Sequence, residues 1–235
     1  MERSLNVGEI ISRTFNIYVD QASVLLPAAA VVFVLSGIVT GVLFALSPVL
    51  AILGFIIALV ATTLFTGMVV ELVADIQDGR RDATVGQLLE AARPVIGKLI
   101  LVGIVAGIGI AIGFVLIIVP GLILITIWSV AAPVIVIERP SGLGALGRSR
   151  ELVRGNGWQV FGVIFVLVIG VYIVAAIIEA IGDSGGTGVG IVVRVIVQIL
   201  AAPLSALAAS VLYFELRAPA SAPAADAVPA PTGTV

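Results

Sequence analysis

Six long apolar stretches run through this chain, and the connections between them are alternately charged and nearly uncharged. The stretches fall near 23–46, 49–73, 97–118, 121–137, 158–181 and 189–214. A helix needs about 20 apolar residues to cross the hydrocarbon core of a bilayer. Lipid offers no partner for backbone N–H and C=O groups, so a crossing segment of this kind has to be helical. The predicted fold class is therefore an all-α integral membrane protein with six transmembrane helices. The 235 residues are 60% hydrophobic and 11% charged. Soluble domains carry about 25% charged residues, so composition excludes that class. Residues 1–217 read as a single transmembrane domain. The Ala/Pro-rich 218–235, with Asp226 as its one charged side chain, reads as a disordered tail.

The third and fourth stretches form one apolar run, Leu99 to Ile137, interrupted at Pro120-Gly121. As one helix it would be about 58 Å long, roughly twice the core thickness. Two helices folded back at Pro-Gly fit better, because proline removes a donor and glycine permits a turn. Pro133 is a candidate kink. A re-entrant hairpin over 121–137 is the alternative to a full crossing.

Basic residues set the orientation. Arg3 and Arg13 precede the first span. Arg80, Arg81, Arg93 and Lys98 lie between spans two and three, and Arg139, Arg148, Arg150 and Arg154 between four and five. Arg217 follows the sixth, and only Arg194 lies toward the opposite side. Both termini are thus expected in the cytoplasm. The excess of Arg over Lys, with abundant Ala, Val and Gly, fits a GC-rich bacterium, hence its plasma membrane. Residues 1–20 carry Glu2, Glu9 and Asp20 and do not read as a cleavable signal peptide. Acidic residues are about as numerous on the same side, so a nucleic-acid partner is not expected.

A short segment recurs before each outgoing span: Val7-Gly8-Glu9-Ile10, Val85-Gly86-Gln87-Leu88 and Leu143-Gly144-Ala145-Leu146. Apolar residues at offsets 0, 3 and 4 make one helical face. Each segment reads as an interfacial amphipathic helix followed by a transmembrane hairpin, giving three repeats near 5–74, 83–137 and 141–217. Similarity imposed by membrane insertion alone is the competing explanation. In the third segment Ser141 is the expected N-cap, Gly155 the stop, and Trp158 an interfacial aromatic.

Pro133, Glu138, Ala145-Leu146, Arg148-Ser149, Leu152, Gly155 and Trp158 stand at spacings that resemble the bacterial membrane domain attached to some glycerophosphoryl diester phosphodiesterases. The resemblance covers about 133–165, and more loosely 5–30. It implies a membrane module for anchoring, assembly or handling of an amphiphile. The phosphodiesterase chemistry of that family belongs to a separate soluble barrel that uses histidines and a metal, and this chain contains no His.

The absence of His and Cys removes the usual general base, thiolate chemistry and the commonest metal ligands. No cofactor, metal or catalytic residue is expected. Two polar groups are candidate sites. Glu138 with Arg148, Arg150 and Arg154 would be either a structural ion pair or a lipid-headgroup contact, because arginine binds phosphate bidentately. Glu179, Asp183, Arg194 and Gln198 form a cluster near the opposite end. A Glu179–Arg194 bridge is predicted there, since charges inside a membrane are normally paired. The functional alternative for that cluster is a polar way in for a substrate. Asp75, Asp78 and Asp82 flank Gly79-Arg80-Arg81 and read as a capped helix end rather than a cation site.

Glycines at four-residue spacing (Gly37/Gly41, Gly103/Gly107, Gly109/Gly113) allow close helix approach. They make span three the expected central helix. Membrane lipids, other membrane proteins and a second copy of the chain are the candidate partners. The leading function is a non-catalytic assembly or anchoring module. The second is a permease for a small amphiphile, and the third, least supported by the residues present, is an intramembrane enzyme.

Overall fold

The computed structural model describes residues 5–79 and 85–218. Arg3, Arg80, Arg81, Asp82 and the tail beyond Ala218 lie outside the described residues. The described chain is helical, with no strand among its residues. The helices are α1 Val7–Asp20, α2 Ala22–Leu46, α3 Pro48–Gln77, α4 Val85–Ala92, α5 Ile96–Leu116, α6 Ile118–Trp128, α7 Ala131–Ile137, α8 Gly144–Val153, α9 Gly157–Ile164, α10 Val171–Ser184 and α11 Thr187–Arg217. One 3-10 turn, Arg93–Val95, joins α4 to α5. A π-helical turn, Phe165–Gly170, joins α9 to α10.

Six helical segments are long and apolar enough to cross a membrane: Ala22–Leu46, Pro48–Gln77, Gly86–Leu116, Ile118–Ile137, Gly157–Ser184 and Gly188–Arg217. This is a multi-pass membrane protein. The fourth segment has 20 residues, about 30 Å of helix. It is broken at Ser129–Val130, one turn before Pro133. Pro133 has no N–H to give Ser129 O, so the helix interrupts there and resumes as α7.

The spans pair as hairpins α2–α3, α5–α6 and α10–α11. The first two turn on a single extended residue, Ser47 (φ −167°, ψ 143°) and Ile117 (φ −161°, ψ 148°). Ser47 also caps α3, its hydroxyl accepting from Val49 N at 3.2 Å, with Pro48 in the first position where no donor is needed. The second corner is a correction to the sequence reading. Pro120-Gly121 is not the turn but lies in the first turn of α6, where amides have no intrahelical partner anyway. Gly121 instead permits close packing: a Cβ there would stand 2.6–2.8 Å from three Phe114 ring atoms. The third corner is Gly185-Gly186, with Gly186 at φ +100°.

The corners lie at one end of the bundle. Every described Arg or Lys except Arg194 lies toward the other, here the arginine end. Buried apolar residues concentrate at the arginine end. They come from the first half of α2 (Leu25, Ala28, Phe33), the second half of α3 (Phe65 to Val73) and the second half of α11 (Ala201 to Tyr213). Toward the corners the helices expose their apolar faces, as at Leu35, Ile52, Ile108 and Ile173. Hydrocarbon tolerates such faces at no hydrophobic cost.

The central helix is α11, a second correction. Of an 18-residue apolar stretch in its span 61% is buried, against 17% for the corresponding stretch of the third span. Alanines 201, 202, 206 and 208 let neighbouring helices approach it. In α5 only one glycine face is used: Gly109 lies under Trp128 and Gly113 against Gly121, whereas Gly103 and Gly107 face open space.

α1 buries Ile10, Thr14 and Ile17 against the bundle. Its N-cap Asn6 accepts from Glu9 N at 3.3 Å, and Glu9 complements the helix dipole. In α8 the buried stripe is Ala145, Ser149 and Val153. Ser141 is not the N-cap, a third correction: a turn carrying Gly142 at φ +53° intervenes, and Leu143 takes the cap position. Gly155 ends α8 at φ +92°, as expected of a C-terminal glycine. α3 likewise ends at Asp78 followed by Gly79 at φ +79°.

Candidate functional site

A polar network closes the arginine end. Glu138, the C-cap of α7, sits where the fourth span ends. Arg148, one turn into α8, donates from Nε to Glu138 Oε2 at 3.0 Å and from Nη1 to Glu151 Oε2 at 3.3 Å. Tyr213 of α11 donates its hydroxyl to Glu138 Oε1 at 3.1 Å and accepts from Arg217 Nη1 at 3.2 Å. The Arg217 guanidinium also lies 5.9 Å from the Tyr213 ring centre. Both carboxylate oxygens of Glu138 are therefore engaged, by two different helices. Hydrogen bonds to the Glu138 and Glu151 carboxylates hold the Arg148 pKa above its ordinary value. Beside this network, Arg13 of α1 pairs with Glu215 of α11. Ser149, fully buried, donates to Ile127 O at 2.8 Å and fixes α8 against the broken fourth span.

The sequence-predicted residues part company here. Glu138 and Arg148 meet. Arg150 and Arg154 do not join them: both are exposed and make no ion pair or hydrogen bond with the described residues. Tyr213, Arg217, Arg13 and Glu215 were not foreseen from sequence. A tyrosine one turn before a helix-terminal arginine was the available signal.

The second cluster lies near the third corner. Arg194 Nε is 3.4 Å from Glu179 Oε2, and its Nη2 is 3.5 Å from Asp183 Oδ2. The pairing of Glu179 with Arg194 is thus present, joining α10 to α11. Gly182 and Gly190 make it possible, since a Cβ at 182 would stand 2.8 Å from Val193 and one at 190 would collide with the Asp183 carboxylate. Gln198 lies half-buried one turn deeper and makes no hydrogen bond with the described residues. Arg194 is 60% and Asp183 55% exposed, so the pairs contribute little in water. Arg194→Gln is expected to lower stability in detergent by less than about 1 kcal/mol, checked by thermal unfolding.

Buried hydroxyls are spent on backbone carbonyls. Thr14 donates to Ile10 O, Thr126 to Leu122 O and Ser210 to Ala206 O, each at 2.8 Å. Ser129 Oγ, at the break in span four, is buried without a partner among the described residues. No group of three or more His, Cys, Asp or Glu residues suited to a metal occurs among the described residues.

Tyr18 donates to Leu200 O at 3.2 Å, close to Pro203 in α11. Burial raises its pKa above the ordinary value near 10. The unfolded chain therefore loses this proton first, so stability falls as pH rises above about 10. Tyr18→Phe is expected to flatten that alkaline fall, measured by unfolding midpoints between pH 9 and about 11.

No family model, no curated protein and no solved structure matches this chain.

Proposed function

We propose that this chain is a non-catalytic polytopic membrane module that assembles with, or anchors, lipid or protein partners. It sits in a bacterial plasma membrane with both termini in the cytoplasm. The observation that carries this reading is the closed arginine end: Leu207, Ala208, Val211, Leu212 and Tyr213 of α11 are all 0% exposed. Beside them Glu138 pairs with Arg148 and Glu215 with Arg13. Alternating-access carriers instead hold ionisable or polar groups at a site near the midplane.

The module is read as three repeats of an interfacial helix and a hairpin. Ile10, Leu88 and Leu146 occupy equivalent positions in the recurring segment, and each packs on the core. The matching corners at Ser47 and Ile117 support the same reading. The sequence resemblance to the phosphodiesterase-associated membrane domain agrees with a module of this kind.

A carrier for a small amphiphile draws on a different observation, the exposed apolar helix faces toward the corners beside Arg194 and Asp183, both more than half exposed. Reconstitution into liposomes carrying a fluorescent phospholipid separates the two readings. The module predicts dithionite-accessible label no higher than in protein-free liposomes. Protein-dependent transfer of label across the bilayer would overturn it in favour of the carrier.

A further inference from the structure

We infer that Arg150, Arg154 and Trp158 form a binding site for the headgroup of an anionic phospholipid at the arginine end. The inference rests on the reading of this chain as a membrane-embedded module.

The described cations divide into two groups. Arg13, Arg148 and Arg194 face carboxylates, Arg217 faces Tyr213, Lys98 donates to Pro140 O and Arg139 to Val136 O. Arg93, Arg150 and Arg154 have no such partner among the described residues. Arg150 and Arg154 are one helical turn apart, Arg154 N donating to Arg150 O at 3.1 Å. Side chains at that spacing lie on one face within reach of a single phosphate. The face is held by its opposite side, where Ala145, Ser149 and Val153 are buried. The nearby carboxylate, Glu151, is taken by Arg148.

Trp158 identifies the source of the phosphate. It lies in the first turn of the fifth span, four residues beyond Arg154 across the Gly155 bend, and is 82% exposed. An indole this open at the start of a membrane span belongs at headgroup level. Two arginines able to donate bidentately to phosphate and an aromatic beside the acyl chains suit a phospholipid, not a soluble phosphate ester. Arg148 is excluded from the site because Glu138 and Glu151 hold it.

The test uses the full chain in detergent, analysed by native mass spectrometry with added phosphatidylglycerol or phosphatidylcholine of the same acyl chains. Phosphatidylglycerol should be retained preferentially. Each of Arg150→Gln and Arg154→Gln should weaken that retention roughly fivefold, with the pair reducing it to the phosphatidylcholine level. Trp158→Ala should weaken both lipids, and Arg93→Gln should change neither. Glycerol phosphate should not displace the lipid. Both arginines are exposed, so the variants should fold, which a thermal scan checks. Phosphatidylglycerol retention unchanged in the double variant, or equal retention of the two lipids by the unaltered chain, overturns the site. Lipid transfer in the liposome experiment together with arginine-dependent retention would instead overturn the module and leave the site standing.

Discussion

Replacing Tyr213 with alanine is expected to cost about 3–5 kcal/mol, the range for truncating a large buried aromatic. The side chain is 0% exposed, and its ring meets Phe214 edge-on at 5.2 Å between centres. Alanine leaves a cavity beside α11 and removes the donor to Glu138 Oε1. Ser149 and Arg148 hold α8 against the fourth span and Glu138, which resists closure of that cavity from this side. Tyr213→Phe keeps the ring and isolates the hydroxyl. It should cost about 1–2 kcal/mol, because Glu138, whose side chain is 23% exposed, loses a donor, while the exposed Arg217 can turn to solvent. Denaturant titration in detergent, followed by circular dichroism, reads both values. A Tyr213→Ala protein as stable as the parent would contradict the account of the arginine-end network.

The second large effect is expected at the corner of α5 and α6. A Cβ on Gly113 would stand 3.0 Å from Gly121 Cα and N, and backbone cannot rotate out of the way. Gly113→Leu should therefore force the two helices apart and cost about 1–3 kcal/mol from overpacking. Gly107→Leu supplies the internal control. It lies on the same helix, but a Cβ there meets nothing within 4 Å, so stability should hold or rise with the better helix propensity of leucine. Equal destabilisation by both would mean that the hairpin does not close at Gly113 and Gly121.

The contrast between these glycines shows what a sequence of this kind carries and what it withholds. The six spans follow from length and apolarity, because the bilayer imposes both. The Glu138–Arg148 and Glu179–Arg194 pairs were legible for a related reason: charges near a membrane find partners, and few candidates stand at similar depth. Which glycine face packs was not legible. Four-residue spacing occurs at Gly103/Gly107 as well as Gly109/Gly113, and only contact with Trp128 and Gly121 distinguishes them. The central helix was misplaced for that reason, since alanines in α11 serve the same purpose less conspicuously. The corner was misplaced by three residues, from Ile117 to Pro120, because proline is equally at home in a turn and in the first turn of a helix. Tyr213 was missed because its acceptor, Glu138, lies 75 residues away in the chain.

The central claim is that the chain turns on three nearly uncharged corners at one face of the membrane and keeps its arginines at the other. The parent has no cysteine, so single-cysteine variants report without background. Cysteines placed at Ser47 and Gly185, and at Gly147 and Arg217, should be tested in intact cells with a membrane-impermeant maleimide. The account predicts labelling from outside at 47 and 185, and at 147 and 217 only after the cells are opened. External labelling at 147 or 217 would contradict it.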